Sequence, residues 1–328
     1  MRVLGVTLGD ECGIGPEVVF KALSRSDHRE KAAVVLIGKG RIIDDQARRH
    51  GWSDAIRPWP GRHQAGFGLW RLDTASEETV AARAAITALT RGSELGLAGD
   101  IDGLVTGPIN KASILREGIP FIGQTEWLTR LAGDPCTGMM LLGTDPEGRW
   151  LRVLLATTHV PLRAVPDALN REAITRSITL AARACHELDL KNHRIAVCGL
   201  NPHAGEEGQL GTEEEEFIRP AIVEAREMGI DVSGPWPGDT VFRDALMGRH
   251  EIVVAMYHDQ GLAPLKLVAF ETGVNWTVGL PYPRTSPDHG TAFDIAGRDV
   301  ADPSSMEKAL ELAWILTGRR SEKNKTPV

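Results

Sequence analysis

Short apolar, β-branched runs recur along the chain, and each is followed by a stretch that reads as a helix or by a turn. "VLGVTL" (3–8), "AVVLIG" (33–38), "DGLVTG" (102–107), "RIAVCGL" (194–200) and "EIVVAMY" (251–257) have the length and composition of buried strands. Helical patterns begin at Pro16 and cover 77–92, 125–132, 170–188, a segment after Thr212, and 306–317. Strands alternating with helices predict an α/β/α sandwich built on a mostly parallel sheet. One place breaks the alternation. "GMMLLG" and "WLRVLLATT" are separated only by "TDPEG", whose Asp, Pro and Gly mark a turn, so an antiparallel hairpin is expected near 138–157. The hairpin suggests a second subdomain. The division expected is 1–128 plus 285–328 for the first subdomain and 129–284 for the second.

The chain of 328 residues carries 37 basic and 44 acidic residues, for a net charge of −7. The basic residues are scattered rather than gathered into a stripe, which argues against nucleic acid as a partner. A small cluster, Arg319, Arg320, Lys323 and Lys325, reads as a frayed, solvated tail. No apolar run approaches the roughly 18 residues of a membrane span, and "MRVLGVTLGD" is interrupted too soon for a signal peptide. Cys12, Cys136, Cys185 and Cys198 show no paired spacing, as expected for a reducing, cytoplasmic environment.

Chemistry concentrates after the strands. His159, His203 and His258 each follow an apolar run, whereas His28, His50, His63, His193 and His289 sit among charges or in loops that read as exposed. The ends of parallel strands converge on one crevice, where α/β proteins keep their ligands. Three neutral imidazoles there suit a divalent metal with an open position, although from the residues alone three separate loop histidines are the more ordinary reading. Lys111, Lys266 and Arg284 are cations beside Gly and Pro, while Thr125 and Asn275 add neutral donors. Such a set suits a phosphate or carboxylate. Asp239 in "PGDT" has the pattern of a helix N-cap and also stands where it can face a site. The glutamates Glu213 to Glu216 read as solvated first-turn residues that complement a helix dipole. "GDECGIGPE" lies between a strand and a helix but lacks the G-x-G-x-x-G spacing, so the pattern supports no Rossmann dinucleotide site.

Seven stretches in order carry a resemblance: "TLGDECGIGPE", "TGPINKASI", "IPFIGQTEWL", "TTHVPL", "NPHAGEEG", "MYHDQGLAPLK" and "RTSPDHGTAFDIAG". Together they resemble the PdxA family of 4-hydroxythreonine-4-phosphate dehydrogenases. The likeness extends over nearly the whole chain. It implies an isocitrate/isopropylmalate dehydrogenase-like fold of two α/β/α subdomains with the active-site cleft between them. It implies a metal (zinc, cobalt or magnesium) on His159, His203 and His258, with the three imidazoles favouring zinc or cobalt over magnesium. It implies substrate contacts from Gln124, Thr125, Lys266, Asn275 and Arg284, with Lys266 and Asp239 as catalytic groups. It also implies a homodimer with sites shared between subunits, and NAD or NADP bound without the Rossmann fingerprint.

The activity implied is oxidation of 4-phosphohydroxy-L-threonine at its 3-hydroxyl, then decarboxylation to 3-amino-2-oxopropyl phosphate, in pyridoxal 5'-phosphate biosynthesis. Two departures stand out. "GDECG" replaces the family's usual "GDPAG", and Gln124 stands in "GQTE" where the family has a histidine. A histidine can be cationic beside a phosphate, while glutamine offers only neutral N–H donors. The alternative substrate is therefore another phosphorylated four-carbon hydroxy acid, 4-phospho-D-threonate or 4-phospho-D-erythronate. Outside this family, the same residues would also suit a zinc hydrolase or lyase, or a non-catalytic phosphometabolite-binding protein.

Overall fold

The computed structural model describes residues 1–323, which divide into two units. One comprises 1–135 and the chain from 280 onward; the other is 136–279. In chain order the first unit begins with β1 (Arg2–Thr7), α1 (Gly15–Arg25), α2 (His28–Lys31), β2 (Ala32–Gly38) and α3 (Gly40–Arg49). It continues through β3 (Ile56–Pro58), β4 (Gly68–Asp73), α4 (Ala81–Ala98), β5 (Gly103–Thr106), α5 (Lys111–Arg116) and α6 (Gln124–Leu131). The second unit holds the hairpin β6 (Gly138–Thr144) and β7 (Trp150–Leu155), then α7 (Val165–Ala168), α8 (Arg171–Leu188) and β8 (Ile195–Cys198). It ends with α9 (Arg219–Glu227), β9 (Val232–Trp236), α10 (Val241–Leu246), β10 (Ile252–Ala255), α11 (His258–Ala269) and β11 (Val274–Val278). The chain then returns to the first unit with β12 (Arg284–Pro287) and α12 (Ser304–Lys323).

The strands of the first unit run β3-β4-β2-β1-β5-β12, and every pair is parallel. β2 is buried at all seven positions and β1 at five of six, because helices cover both faces of a parallel sheet. The loops after β1 and β5 meet: the Asp10 N–H donates to the Pro108 carbonyl at 2.9 Å. Gly9 allows this, with φ +75° and a missing Cβ that would sit 2.3 Å from the Pro108 oxygen.

The second unit orders its strands β11-β6-β7-β10-β8-β9. β6 is antiparallel to both β7 and β11, while β7, β10, β8 and β9 are parallel neighbours. Val153, Val253, Ala255, Ala196 and Cys198 pack from these strands into one core with Leu262 and Leu265 of α11.

Four local expectations change. The stretch "HDQGLAPLK", whose glycine and proline read as a loop after the strand, is helical: it opens α11 at His258, and Pro264 is carried inside the helix. The segment after Thr212 starts as one π-helical turn, Glu214–Ile218, before α9, and Glu214 is 1% exposed rather than solvated. α12 continues through Arg319 to Lys323 instead of fraying there, while Lys325 lies outside the described residues. His28 is 8% exposed and lies against the Trp314 ring at 5.7 Å.

Candidate functional site

In the second unit, β7, β8 and β10 run parallel, so their carboxyl ends face one way and deliver His159, His203 and His258 to the same edge. The structure brings His159 and His258 close, with ring centroids 5.6 Å apart. Thr157 fixes one side of this pair: its N–H and its hydroxyl both donate to the Met256 carbonyl, at 3.2 and 2.7 Å. Gln260 fixes the other. Its Oε1 accepts from the Met256 N–H at 2.7 Å, and its Nε2 donates to the Gly199 carbonyl at 2.8 Å. One amide thus ties the end of β10 to the end of β8, which accounts for the glutamine two residues past His258.

His203 rides on an unusual turn. Residues 203–207 all have positive φ, between 42° and 81°, although only Gly205 is a glycine. Each non-glycine residue in that region costs about 1–2 kcal/mol. The turn is held from below by Glu214, whose Oε1 accepts from the N–H groups of Leu200 and Asn201 at 2.7 and 2.8 Å. Its Oε2 accepts from Asn201 Nδ2 at 2.9 Å. Gly205 fits because a Cβ there would sit 2.7 Å from Glu214 Oε2. Sequence reasoning missed Glu214: within a run of four glutamates no local signal marks the one that turns inward.

Two of the histidines keep a carboxylate on Nδ1. His258 Nδ1 lies 2.7 Å from Asp259 Oδ1, and His203 Nδ1 lies 2.5 Å from Glu206 Oε1. This is the orientation that fixes the tautomer of a metal-ligating imidazole and leaves Nε2 as the donor atom. The contact with Glu206, and then the charge of Asp239, raise the His203 pKa above its ordinary value. Among the described residues, no group of three or more His, Cys, Asp or Glu side chains in this chain is already gathered as a metal site. His159 and His258 form the close pair, and His203 stands apart on its turn.

His203 lines a cavity of about 730 Å³ together with Asn201, Asp239, Tyr257 and Asp259. Asp239 is exposed on its wall and is not a helix cap; Thr240 takes the N-cap place of α10. Lys266 follows the same apolar run as His258 in the sequence, but it lies in the last turn of α11 and is separated from His258 by the length of that helix. Eight residues of helix amount to about 12 Å along the axis. Asn275 is half-buried on β11, and its Oδ1 is buried with no partner among the described residues.

The remaining candidates belong to the first unit. Gln124 and Thr125 open α6 and are half-buried. Arg284, at the start of β12, is 2% exposed. Its Nε and Nη2 donate to Thr106 Oγ1 at 3.1 and 2.6 Å, and Nη2 also donates to Gln124 Oε1 at 3.0 Å. Burial lowers the guanidinium pKa to about 10, partly offset by Tyr282 and Glu126, so it stays cationic at neutral pH. Lys111 is exposed at the first position of α5. The glycine loop after β1 closes on protein: a Cβ on Gly13 or Gly15 would meet Thr291 and Leu8 carbonyl oxygens at 2.7 and 2.1 Å. It offers no open cradle for a pyrophosphate. Cys198 is fully buried with its thiol pKa pushed up by burial, and Cys185 is pushed up to about 12, so neither is a nucleophile.

Comparison with known proteins identifies the family of the chain. The profile described as "Pyridoxal phosphate biosynthetic protein PdxA" matches residues 31–313. A 4-hydroxythreonine-4-phosphate dehydrogenase of Beijerinckia indica is 41% identical over 323 residues, covering 94% of each chain. A D-threonate 4-phosphate dehydrogenase of Cupriavidus necator is 39% identical and covers 98% of this chain and 99% of its own. The crystal structure of the Klebsiella pneumoniae 4-hydroxythreonine-4-phosphate dehydrogenase superposes with a TM-score of 0.83 at 36% identity, covering 96% of this chain and 98% of that one. An isocitrate dehydrogenase of Methylococcus capsulatus, at 13% identity and TM-score 0.54, shares the fold. The chain belongs to the PdxA family and is a dehydrogenase, an oxidoreductase acting on a CH–OH group, on an isocitrate dehydrogenase-like fold.

Proposed function

We propose that this enzyme oxidises the hydroxyl of a phosphorylated four-carbon hydroxy acid, with a nicotinamide coenzyme as oxidant and a divalent metal at the histidines. The favoured substrate is 4-phosphohydroxy-L-threonine, oxidised at its 3-hydroxyl and decarboxylated to 3-amino-2-oxopropyl phosphate in pyridoxal 5'-phosphate biosynthesis. The observation that carries the reading is the His159–His258 pair, 5.6 Å apart at two parallel strand ends. The donor chemistry fits a borderline metal such as zinc or cobalt, since two of the three imidazoles have Nδ1 engaged by a carboxylate. His159, His203 and His258 would hold it, and when bound it supplies Lewis acidity toward the hydroxyl oxygen. Asp239, exposed beside His203 in the cavity, would take the hydroxyl proton. Lys266, Asn275, Thr125, Gln124 and Arg284 are assigned to the anionic groups by the family resemblance. Asn275 Oδ1, a buried acceptor without a partner among the described residues, would take a hydrogen bond from a substrate hydroxyl or ammonium, leaving its Nδ2 for the anion. No residue is assigned to the coenzyme, and NAD is not separated from NADP.

A second reading is carried by Gln124, which engages Arg284 where the family has a histidine. It favours 4-phospho-D-threonate or 4-phospho-D-erythronate, and the Cupriavidus relative is named for D-threonate 4-phosphate. A homodimer completes the proposal. Ala263, Leu267 and Phe270 form an exposed apolar stripe on α11, with Leu267 88% and Phe270 72% exposed. Among the described residues no helix is long and apolar enough to cross a membrane; a cytoplasmic location is part of the proposal.

Reduced-coenzyme formation by metal-loaded enzyme with each of the three acids is the test. Strong turnover of 4-phosphohydroxy-L-threonine alone supports the first reading. Turnover of one of the other acids, with that compound inert, supports the second. No coenzyme reduction with any of them rules out both.

A further inference from the structure

β10 and β8 stay in register up to Val254 and Val197. Two residues further along each strand stand Met256 and Gly199, and there a side chain closes the ladder. Gln260 Oε1 accepts from the Met256 N–H at 2.7 Å, and its Nε2 donates to the Gly199 carbonyl at 2.8 Å. A glutamine amide carries the donor and the acceptor of one peptide unit, so Gln260 supplies the rung that the parting strands no longer make. Met256 is fully buried, where an unpaired N–H is costly. Each group that the amide touches leads to a candidate functional residue. Met256 lies two residues before His258 on the segment entering α11. Gly199 packs under the turn of His203: a Cβ there would sit 2.7 Å from Ala204 Cα and 3.1 Å from Glu214 Oε1. The Gly199 N–H donates to the Trp236 carbonyl at 2.8 Å, which anchors the segment leading to Asp239. A Cβ on Gly238, next to Asp239, would sit 3.2 Å from Gln260 Nε2.

We infer that Gln260 is a positioning residue of the proposed reaction: its amide sets the separation between the His203 turn and His258, and it holds the Gly238–Asp239 corner against both. Gln260 acts through these groups and not on the substrate. The span is set by chemistry. Two backbone groups bonded to one planar amide cannot part by more than a few tenths of an ångström, about the spread of a good hydrogen bond, without losing a bond. Asparagine is one methylene too short to reach both strand ends, and methionine fills the space with neither donor nor acceptor. Metal-binding histidines depend on such outer contacts for their orientation. A misplacement of about 1 Å at the reacting groups is costly for the same reason. The inference rests on the proposed function, which puts a metal at the histidines and the proton acceptor at Asp239.

The test compares Gln260→Met and Gln260→Asn with the wild type, as full chains stripped of metal and titrated with Co²⁺, whose visible absorption reports both affinity and ligand geometry. Urea curves choose a temperature at which every protein is fully folded. Both variants should bind Co²⁺ about 10- to 100-fold more weakly, with a changed visible spectrum. At saturating Co²⁺ their kcat should still be lowered about 10- to 100-fold. Hydrogen exchange should find the Met256 amide protected in the wild type and fast in Gln260→Met. A glutamine that only supports the fold predicts a lower urea midpoint but the wild-type Co²⁺ affinity, spectrum and kcat in the folded variants, and that result overturns the inference. So does a Met256 amide that stays protected in Gln260→Met. A wild-type chain that takes up no Co²⁺ overturns the proposed metal and the inference with it. A wild type that binds Co²⁺ but oxidises none of the three acids overturns the proposed reaction alone, and the Co²⁺ affinities of the variants then decide for or against Gln260.

Discussion

A histidine among charged residues need not be a surface histidine. "DHREK" gives His28 the look of an exposed side chain, yet α2 folds its ring against Trp314 and leaves Nδ1 buried without a partner among the described residues. Burial lowers its pKa, against the raising effect of Asp27 and Glu311 and with the help of Lys31. A histidine held neutral in the fold protonates more readily when unfolded, so its contribution to stability is intact above about pH 6.5 and is lost as pH falls toward the depressed folded value. Urea unfolding at pH 7.5 and 5.5 should show a larger loss of stability in the wild type than in His28→Phe. Equal losses in the two proteins would mean that His28 is not the titrating group. His159, His203 and His258 were legible for the opposite reason: each follows an apolar run whose strand direction is set by its neighbours, so position in the sheet could be read from the sequence. What the residues alone could not give is the partner of each ring, since Glu206 and Asp259 are ordinary acids until the turn and the helix are formed.

Periodicity found most of the elements, and it failed where polar residues do structural work inside an element. The segment from His258 reads as a loop because Gly261 and Pro264 are poor helix formers. Tertiary contacts overrule them: Leu262 and Leu265 enter the core, and a Cβ on Gly261 would sit 2.7 Å from Val153, so only glycine lets α11 lie this close to β7. The run Glu213–Glu216 hides the same kind of surprise. Glu214 gathers three donors from Leu200 and Asn201 and so carries the left-handed turn that presents His203. Glu214→Ala leaves those donors unsatisfied and should cost about 3 kcal/mol, seen as a lower urea midpoint. Glu215→Ala, which only breaks an exposed pair with Arg219, should cost under about 1 kcal/mol. If the turn is the path by which Glu214 matters, kcat should fall in Glu214→Gln even at temperatures where that variant is fully folded. Unchanged kcat in a folded Glu214→Gln would separate the clamp from catalysis.

At the scale of the whole molecule, α11 is apolar on two faces. Leu262, Leu265 and Ala269 face the core, while Ala263 and Leu267, which also line the cavity beside His203, and the C-cap residue Phe270, at spacings of four and three, form an exposed stripe. A monomer that leaves a leucine and a phenylalanine almost fully exposed on one helix face gains by covering them, and a second copy offers the same stripe in return. A stable interface of this kind buries on the order of 1,200–2,000 Å² in total, so the stripe would be its centre rather than its whole extent. Replacing both Leu267 and Phe270 by Asp puts charge at the centre of such a contact, where an unpaired carboxylate is costly. The expected outcome is a shift from dimer to monomer mass in light scattering at micromolar concentration, with the far-UV spectrum unchanged because both side chains point away from the core. Leu267 also lines the cavity beside His203, so activity is read in Phe270→Asp alone: it should fall in step with the dimer fraction if two subunits build each site, and should recover as protein concentration rises. A variant that stays dimeric would remove α11 from the interface. A monomer that keeps full kcat would show that one chain carries the complete site, with His203 meeting His159 and His258 by movement of its own turn.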